Sequence, residues 1–191
     1  FRLKKLHFAT ISRKTLRKAD SVVAVSRQDY KLFSKIRKDV ITIPNGIDCS
    51  SFHMSKKKRA TFIYVGRLAK NKRLDKLIDT FQYVIEMNRK ARLFIIGYDS
   101  DNLLPSLKRL VKGYGLEKNI FFLSNVTEKK KCELLSVAEY IVSASEYEGF
   151  GISILEGMAS GCIPILNRIP QFEYLVGREF LVDYALPEIA G

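Results

Sequence analysis

Cysteine and histidine are scarce in this sequence of 191 residues, with Cys49, Cys132 and Cys162 and only two histidines. An odd, widely spaced trio of cysteines offers no disulfide framework and no Cys-x-x-Cys zinc pair. It fits a reducing compartment. Cys49 and His53 have no further ligand nearby, so both read as loop residues and no metal site is expected. Long apolar runs are also missing. The apolar runs, such as Phe62-Ile63-Tyr64-Val65 and Phe94-Ile95-Ile96, fall far short of the roughly 18 residues of a membrane span. Residue 1 is Phe and no signal peptide follows, so the chain is expected to be a fragment. Disorder is excluded by a composition of 47% hydrophobic and 28% charged residues.

Acidic residues are few at one end only. Residues 1–60 carry 16 Lys/Arg against 4 Asp/Glu, and residues 61–191 carry 17 against 16. The net charge of +13 therefore sits almost wholly in a basic head joined to a near-neutral domain. Such a head suits nucleic acid, an anionic membrane or an acidic partner, and equally a solvated surface. Between His7 and Ala19 it reads as an amphipathic helix. Phe8, Ile11, Leu16 and Ala19 fall on one arc, and Arg13, Lys14, Arg17 and Lys18 on the other. That helix fits a membrane surface or the outside of a domain.

Strand and helix signals then alternate. Strands are expected at 21–26 and 40–43, around a short helix from Arg27 to Ile36, and Pro44-Asn45-Gly46 marks a turn. Residues 47–60 read as a basic linker. From Thr61 onward five strand–helix units follow, with strands at 61–65, 92–96, 120–123, 140–143 and 163–166. The clearest helix is marked by Leu74, Leu77, Ile78, Phe81, Val84 and Ile85, and Thr127 is a helix cap. The fold class expected is α/β, a Rossmann-like doubly wound parallel sheet over 61–191, preceded by residues 1–46 that belong elsewhere. In such a sheet ligands bind beyond the carboxyl ends of the strands.

Two constellations lie there. In Gly66-Arg67-Leu68-Ala69-Lys70-Asn71-Lys72, Gly66 allows a tight turn, and Arg67 and Lys72 flank it. A guanidinium and an ammonium beside a helix start suit a diphosphate; a solvated basic loop, with Lys70 and Arg73 included, explains the same residues. In Glu148-Gly149-Phe150-Gly151-Ile152-Ser153-Ile154-Leu155-Glu156, two glycines let backbone N–H groups approach a ligand. Carboxylates there suit sugar or ribose hydroxyls. The helix around Glu156 reads as apolar on most sides and buried, so Glu156 demands a partner. The third glycine of a dinucleotide fingerprint is absent, because that position is Ile154, and no Walker motif exists.

These motifs together resemble those of retaining glycosyltransferase family four, the group 1 glycosyl transferases of GT-B fold, in their C-terminal, donor-binding domain. The resemblance runs nearly end to end. Ala19 to Ser26 is similar to the last strand of the family's N-domain. Ile43-Pro44-Asn45-Gly46-Ile47-Asp48, with Phe52, is similar to the crossover. Val65-Gly66-Arg67-Leu68 with Lys72 resembles the phosphate turn. Glu148 to Glu156 resembles the E-x7-E motif, followed by Ala159-Ser160-Gly161-Cys162-Ile163-Pro164.

The resemblance implies a hexosyltransferase using a UDP- or GDP-sugar with retention, no cofactor and no metal. Arg67 and Lys72 would bind the diphosphate and stabilise the departing charge. Glu148, Gly149 and the N–H groups of Phe150 and Gly151, with Gly66 and Ile152 beside them, would hold the donor. Glu156 would take the ribose hydroxyls. Val126 would lie near the base, and Asn45 and Gly46 would line the cleft. It further implies a lipid-linked or saccharide acceptor, surface polysaccharide or glycolipid synthesis, and a cytoplasmic enzyme peripheral on the anionic inner membrane face. No specific nucleic acid partner is expected.

Three departures stand out. The family's usual Gly after the phosphate-site lysine is Arg73. The common Gly-Gly-x-x-Glu run is replaced by Asn167-Arg168-Ile169-Pro170-Gln171-Phe172-Glu173. Most of the N-domain and the closing helices are expected outside the chain, so the fragment by itself is expected to be inactive. Two other classes compete: a non-catalytic nucleotide-sugar-binding relative, against which the intact E-x7-E argues, and a nucleic-acid binder stacking bases on Phe1, Phe8, Tyr30 and Phe33.

Overall fold

The structure is a computed structural model that describes residues 12–184, and the chain divides into two compact units, residues 1–46 and 47–191. In the first unit, α1 (Arg13–Lys18), β1 (Val22–Ala24), α2 (Arg27–Phe33) and β2 (Val40–Thr42) follow one another, and β1 pairs with β2 in parallel. The β-branched residues of β1 and β2 supply the strand preference. Ser26 starts α2 by accepting the Asp29 amide on its hydroxyl at 3.1 Å. Val22, Ala24 and Val40 form a small core, with Leu16, Ala19 and Phe33 packed against it. Arg13, Lys14, Arg17 and Lys18 are exposed, as the amphipathic pattern requires. Phe8 and Ile11 lie outside the described residues. Phe33, offered above as a stacking residue, instead packs on the core.

The second unit holds six parallel strands: β3 (Lys58–Val65), β4 (Arg92–Ile96), β5 (Ile120–Leu123), β6 (Ala138–Ser143), β7 (Ile163–Asn167) and β8 (Leu181–Val182). Their order is β5-β4-β3-β6-β7-β8. Helices α3 (Leu74–Met87), α4 (Leu104–Gly113), α5 (Glu128–Val137), α6 (Ile152–Ala159) and α7 (Pro170–Val176) connect them. Successive residues of a strand face opposite sides, so β3 feeds two cores. Tyr64 joins Leu74, Leu77, Ile78 and Phe81 of α3 and Leu107 and Val111 of α4. Ile63 joins Leu135 of α5, Ile154 of α6 and Phe172 of α7. The sheet is therefore wound on both faces. Its order reverses between β3 and β6, and the crevice at that reversal is where ligands bind in open parallel sheets.

Two expectations need correction. The segment 47–60 is not all linker: Cys49–Ser51 is a 3-10 turn capped by the Asp48 carboxylate, and β3 begins at Lys58. Lys58 and Arg59 are exposed, so that end of the strand lacks the apolar signature by which strands are read. Strand β8 was missed as well. Its two residues are too few to show a period and exist as a strand only because Leu166 and Asn167 of β7 offer pairing.

Candidate functional site

The turn after β3 is sewn to the neighbouring strand. The Gly66 amide donates to the Ile96 carbonyl at 2.9 Å, and the Leu68 amide to that of Tyr98 at 2.9 Å. The two strand ends approach so closely that a Cβ on Gly97 would lie 1.8 Å from the Gly66 carbonyl oxygen. A 3-10 turn, Lys70–Lys72, carries the chain to Arg73 and α3. Arg73 is left-handed, at φ 46° and ψ 48°, a conformation costing a residue with Cβ about 1 kcal/mol.

Across the reversal, the loop from Ser145 to Gly151 leaves β6 and meets this turn. The Glu146 amide donates to the Asn71 carbonyl at 3.0 Å. Asn71 Nδ2 donates to the Tyr147 carbonyl at 3.2 Å. Lys72 Nζ meets Glu148 Oε2 at 2.5 Å, with side chains only 12% and 19% exposed. Arg73 Nη1 contacts Glu146 Oε1. Two loops that carry the motifs 76 residues apart are thus one structure. Beneath them Tyr64 donates its hydroxyl to the Arg67 carbonyl at 2.9 Å. Burial pushes that phenol's pKa up; the Glu148 charge adds to the rise and the Arg67 charge opposes it. Both charges are therefore felt at one hydroxyl.

Polar residues further along support the loop from below. Asn167 Nδ2 donates to the Ser145 carbonyl at 3.1 Å, and buried Gln171 Nε2 to the Phe150 carbonyl at 3.2 Å. Phe150 is buried, which anchors the middle of the loop. Gly151 is left-handed at φ 93°, and a Cβ there would stand 3.1 Å from Leu175. That bend starts α6 and sends its N-terminus toward the crevice.

Glu156 sits on α6 and does have its partner. Lys131 Nζ from α5 lies 2.9 Å from Glu156 Oε1 and 2.7 Å from Glu128 Oε2. Burial lowers the Lys131 pKa, but hydrogen bonds to Glu128 and Glu156 outweigh it and the net shift is upward. The Thr127 hydroxyl caps α5 by accepting the Lys130 amide at 3.2 Å, which fixes where Lys131 projects. A cleft of about 880 Å³ opens beside Glu156, lined also by Asp48, His53, Glu128 and Cys132. The reading of α6 as buried on most sides is wrong: Ile152 and Met158 are exposed, and only Ile154 and Gly157 face the sheet. Gly157 is needed there because a Cβ would come within 2.6 Å of Ile141.

The structure thus brings Gly66, Arg67, Lys72, Glu148, Gly149, Phe150 and Gly151 to the crevice. Ile152 follows at the start of α6, 43% exposed. Arg67 is exposed and makes no ion pair among the described residues. Val126 is half-buried against the core under α5 and α6. Asn45 and Gly46 belong to the first unit. Lys131 was not read from the sequence, and Gln171 was read only as part of an altered run; Glu146 and Asn167 lie in segments just after the strands read from the sequence, where ligands were expected. Among the described residues, no cluster of ligating side chains suits a metal ion, and no helix is long and apolar enough to cross a membrane.

A family model described as "Glycosyl transferases group 1" matches residues 50–182. The chain belongs to the group 1 glycosyl transferases. A relative within reach is the GDP-mannose:cellobiosyl-diphosphopolyprenol alpha-mannosyltransferase of Xanthomonas campestris, 30% identical over 90% of this chain and 46% of that protein. Another is the mannosylfructose-phosphate synthase of Agrobacterium fabrum, 34% identical over 70% of this chain and 33% of that protein. The chain spans less than half the length of these curated relatives. Anabaena HepE, solved in complex with UDP-glucose, superposes with a TM-score of 0.81 at 18% identity, over 97% of this chain and 58% of HepE. TarM of S. aureus, solved with UDP, does so at 0.81 and 18%, over 93% of this chain and 36% of TarM. The six-stranded sheet is the C-terminal Rossmann-like domain of a GT-B group 1 glycosyl transferase.

Proposed function

We propose that this chain is the donor-binding half of a retaining hexosyltransferase, with residues 1–46 the remnant of its N-terminal domain. The observation that carries this is the Lys72–Glu148 ion pair at the crevice. A cation and a carboxylate side by side there suit the phosphates and the sugar hydroxyls of a nucleoside-diphosphate sugar. The incoming diphosphate competes with Glu148 for the Lys72 ammonium, and Arg67 adds a second cation. Glu148 then turns its freed oxygens to the sugar hydroxyls. As the glycosidic bond to phosphate breaks, the negative charge grows on the diphosphate. Lys72, largely shielded from water, and the exposed Arg67 stabilise it there. They supply the charge that a metal ion supplies in other diphosphate sites.

Glu156, fixed on a helix, accepts the two ribose hydroxyls on its two oxygens while Lys131 holds the carboxylate in place. Glu128 bears on the choice of base. Its carboxylate, 85% exposed beside the cleft, accepts from the N1–H and exocyclic amine of guanine as a bidentate pair, which uracil cannot donate. Together with the similarity to the GDP-mannose-dependent mannosyltransferase of Xanthomonas campestris, this makes GDP-mannose the donor we favour. A diphosphopolyprenol-linked saccharide is the matching acceptor class, and polysaccharide assembly at the cytoplasmic membrane face the matching setting. The exposed Arg13, Lys14, Arg17 and Lys18 of α1 then serve an anionic surface.

Calorimetric titration of the chain with GDP, UDP and ADP, with Glu156→Ala as control, tests this. Selective GDP binding that the variant loses is the expected result. No binding of any of the three by a chain with a cooperative melt sinks the donor-site reading. Co-sedimentation with phosphatidylglycerol vesicles at low salt tests the membrane contact, and failure to pellet removes it.

A further inference from the structure

The turn after β3 contains a residue whose backbone favours glycine. Arg73 is left-handed and starts α3 without any capping bond from its own side chain. Glycine, the family's usual residue here, adopts that conformation without steric penalty. What Arg73 adds is a guanidinium with two partners. Nη2 meets Asp75 Oδ2 at 3.0 Å, two residues on, and Nε lies 3.1 Å from Asp75 Oδ1. Nη1 contacts Glu146 Oε1, 73 residues away at the entrance of the loop that carries Glu148. The Asp75 hydrogen bond, and against the effect of burial that of Glu146, hold the guanidinium charged beyond its ordinary range.

The geometry of the fork decides what this does. Asp75 occupies the Nε edge and fixes the guanidinium plane on the first turn of α3. Nη1 is then presented outward at a set angle, which a flexible ammonium would not achieve. Glu146 is held at two points, its carboxylate by Arg73 and its amide by the Asn71 carbonyl at 3.0 Å. Two residues later, Glu148 meets Lys72. Without Arg73 the loop entrance keeps only uncharged hydrogen bonds, those with Asn71 and the one that Asn167 donates to the Ser145 carbonyl.

We propose that Arg73 is a positioning residue of the donor site, whose ion pair with Glu146 clamps the 145–151 loop to the phosphate turn and so sets Glu148 against Lys72. The clamp itself is read from the chain alone. Its consequence for binding rests on the donor-site reading above. Arg73 touches no donor atom in this role; it acts through Glu146.

Hydrogen exchange of the 145–151 amides is measured in the 191-residue chain and in Arg73→Gly, Arg73→Lys and Glu146→Gln. Thermal melts and GDP titration accompany each. Arg73→Gly and Glu146→Gln are expected to speed exchange in the loop by about fivefold or more. The loss of ordered Phe150 and Gly151 amides outweighs the easier release of Lys72 from Glu148, and GDP binding weakens by about threefold to tenfold. The melting temperature of Arg73→Gly stays level or rises, because the left-handed strain is relieved. Arg73→Lys restores part of the protection and part of the affinity. Exchange rates unchanged in both Arg73→Gly and Glu146→Gln overturn the clamp. Faster exchange with unchanged GDP affinity overturns its positioning role. Should Arg73→Gly fail to fold, Glu146→Gln decides from the other side of the pair. A folded wild-type chain that binds no nucleoside diphosphate overturns the donor-site reading, and the exchange rates then still decide the clamp.

Discussion

The two carboxylates of the E-x7-E motif are held in opposite ways. Glu156 stands on α6, a regular helix pinned to the sheet through Ile154 and the close contact of Gly157 with Ile141. Its position is set by the helix, and Lys131 holds the end of its side chain. Glu148 stands on a loop, and its position depends on Lys72, Asn71, Arg73 and Gln171 together. The proposed donor site gives the group that must be fixed, the ribose, to the helical carboxylate. It gives the group that changes during reaction, the sugar, to the carboxylate that exchanges a cation on binding. Loops positioned by a rigid scaffold are the usual carriers of such roles.

Substitutions at each end sharpen this contrast. The largest effect is expected from Gly97→Ala, which drives a Cβ into the Gly66 carbonyl and displaces the phosphate turn. A loss of about 4 kcal/mol or more in denaturant unfolding is the expected size, and a wild-type midpoint shows that the turn tolerates displacement. Next is Lys72→Met, which removes the proposed phosphate cation and leaves Glu148 half-buried and unpaired. Titration should show nucleoside diphosphate affinity down about 100-fold, about 2.7 kcal/mol.

Lys131→Met should cost less, about tenfold in the same titration, because α6 still holds Glu156 in place. Equal losses in the two lysine variants remove the distinction between the helical and the loop carboxylate. The smallest effect concerns acid. Burial raises the Asp75 pKa, but the hydrogen bond and charge of Arg73 more than offset this, leaving it below the ordinary 3.8. The unfolded chain therefore takes up that proton first. The stabilisation is present above the ordinary value and is lost as pH falls through the lowered folded value. Melts between pH 5 and pH 2, an interval of about 3 units around that range, should fall less steeply for Asp75→Asn than for the wild type.

Much of this was readable in advance where the signal is local. Leu74 to Ile85 repeat with the helical period, and the period matches α3 because one face of that helix is covered. The turn at Gly66 and the bend at Gly151 were readable because few other residues fit them. The strand at Lys58 was not, since its exposed first residues carry no apolar signature. Gln171 looked like part of an altered acceptor run; the fold buries it under the loop as a donor to Phe150. Nothing in residues 165–175 announces that, because its partner is reached only after α7 folds back across the sheet.

The sequence by itself determined the five strand–helix units, the placing of both motifs at the ends of strands, and the presence of a carboxylate on α6 that required a partner. Those follow from periodicity, from glycine's backbone freedom and from the aversion of charge to burial, all properties of a residue and its near neighbours. Only the tertiary structure decided that the partner is Lys131, that Glu148 answers Lys72, and that Arg73 spends its guanidinium on Glu146. Pairs separated by 25, 76 and 73 residues are chosen by which strands become neighbours. That choice is made by the burial of both sheet faces, not by the charges it brings together.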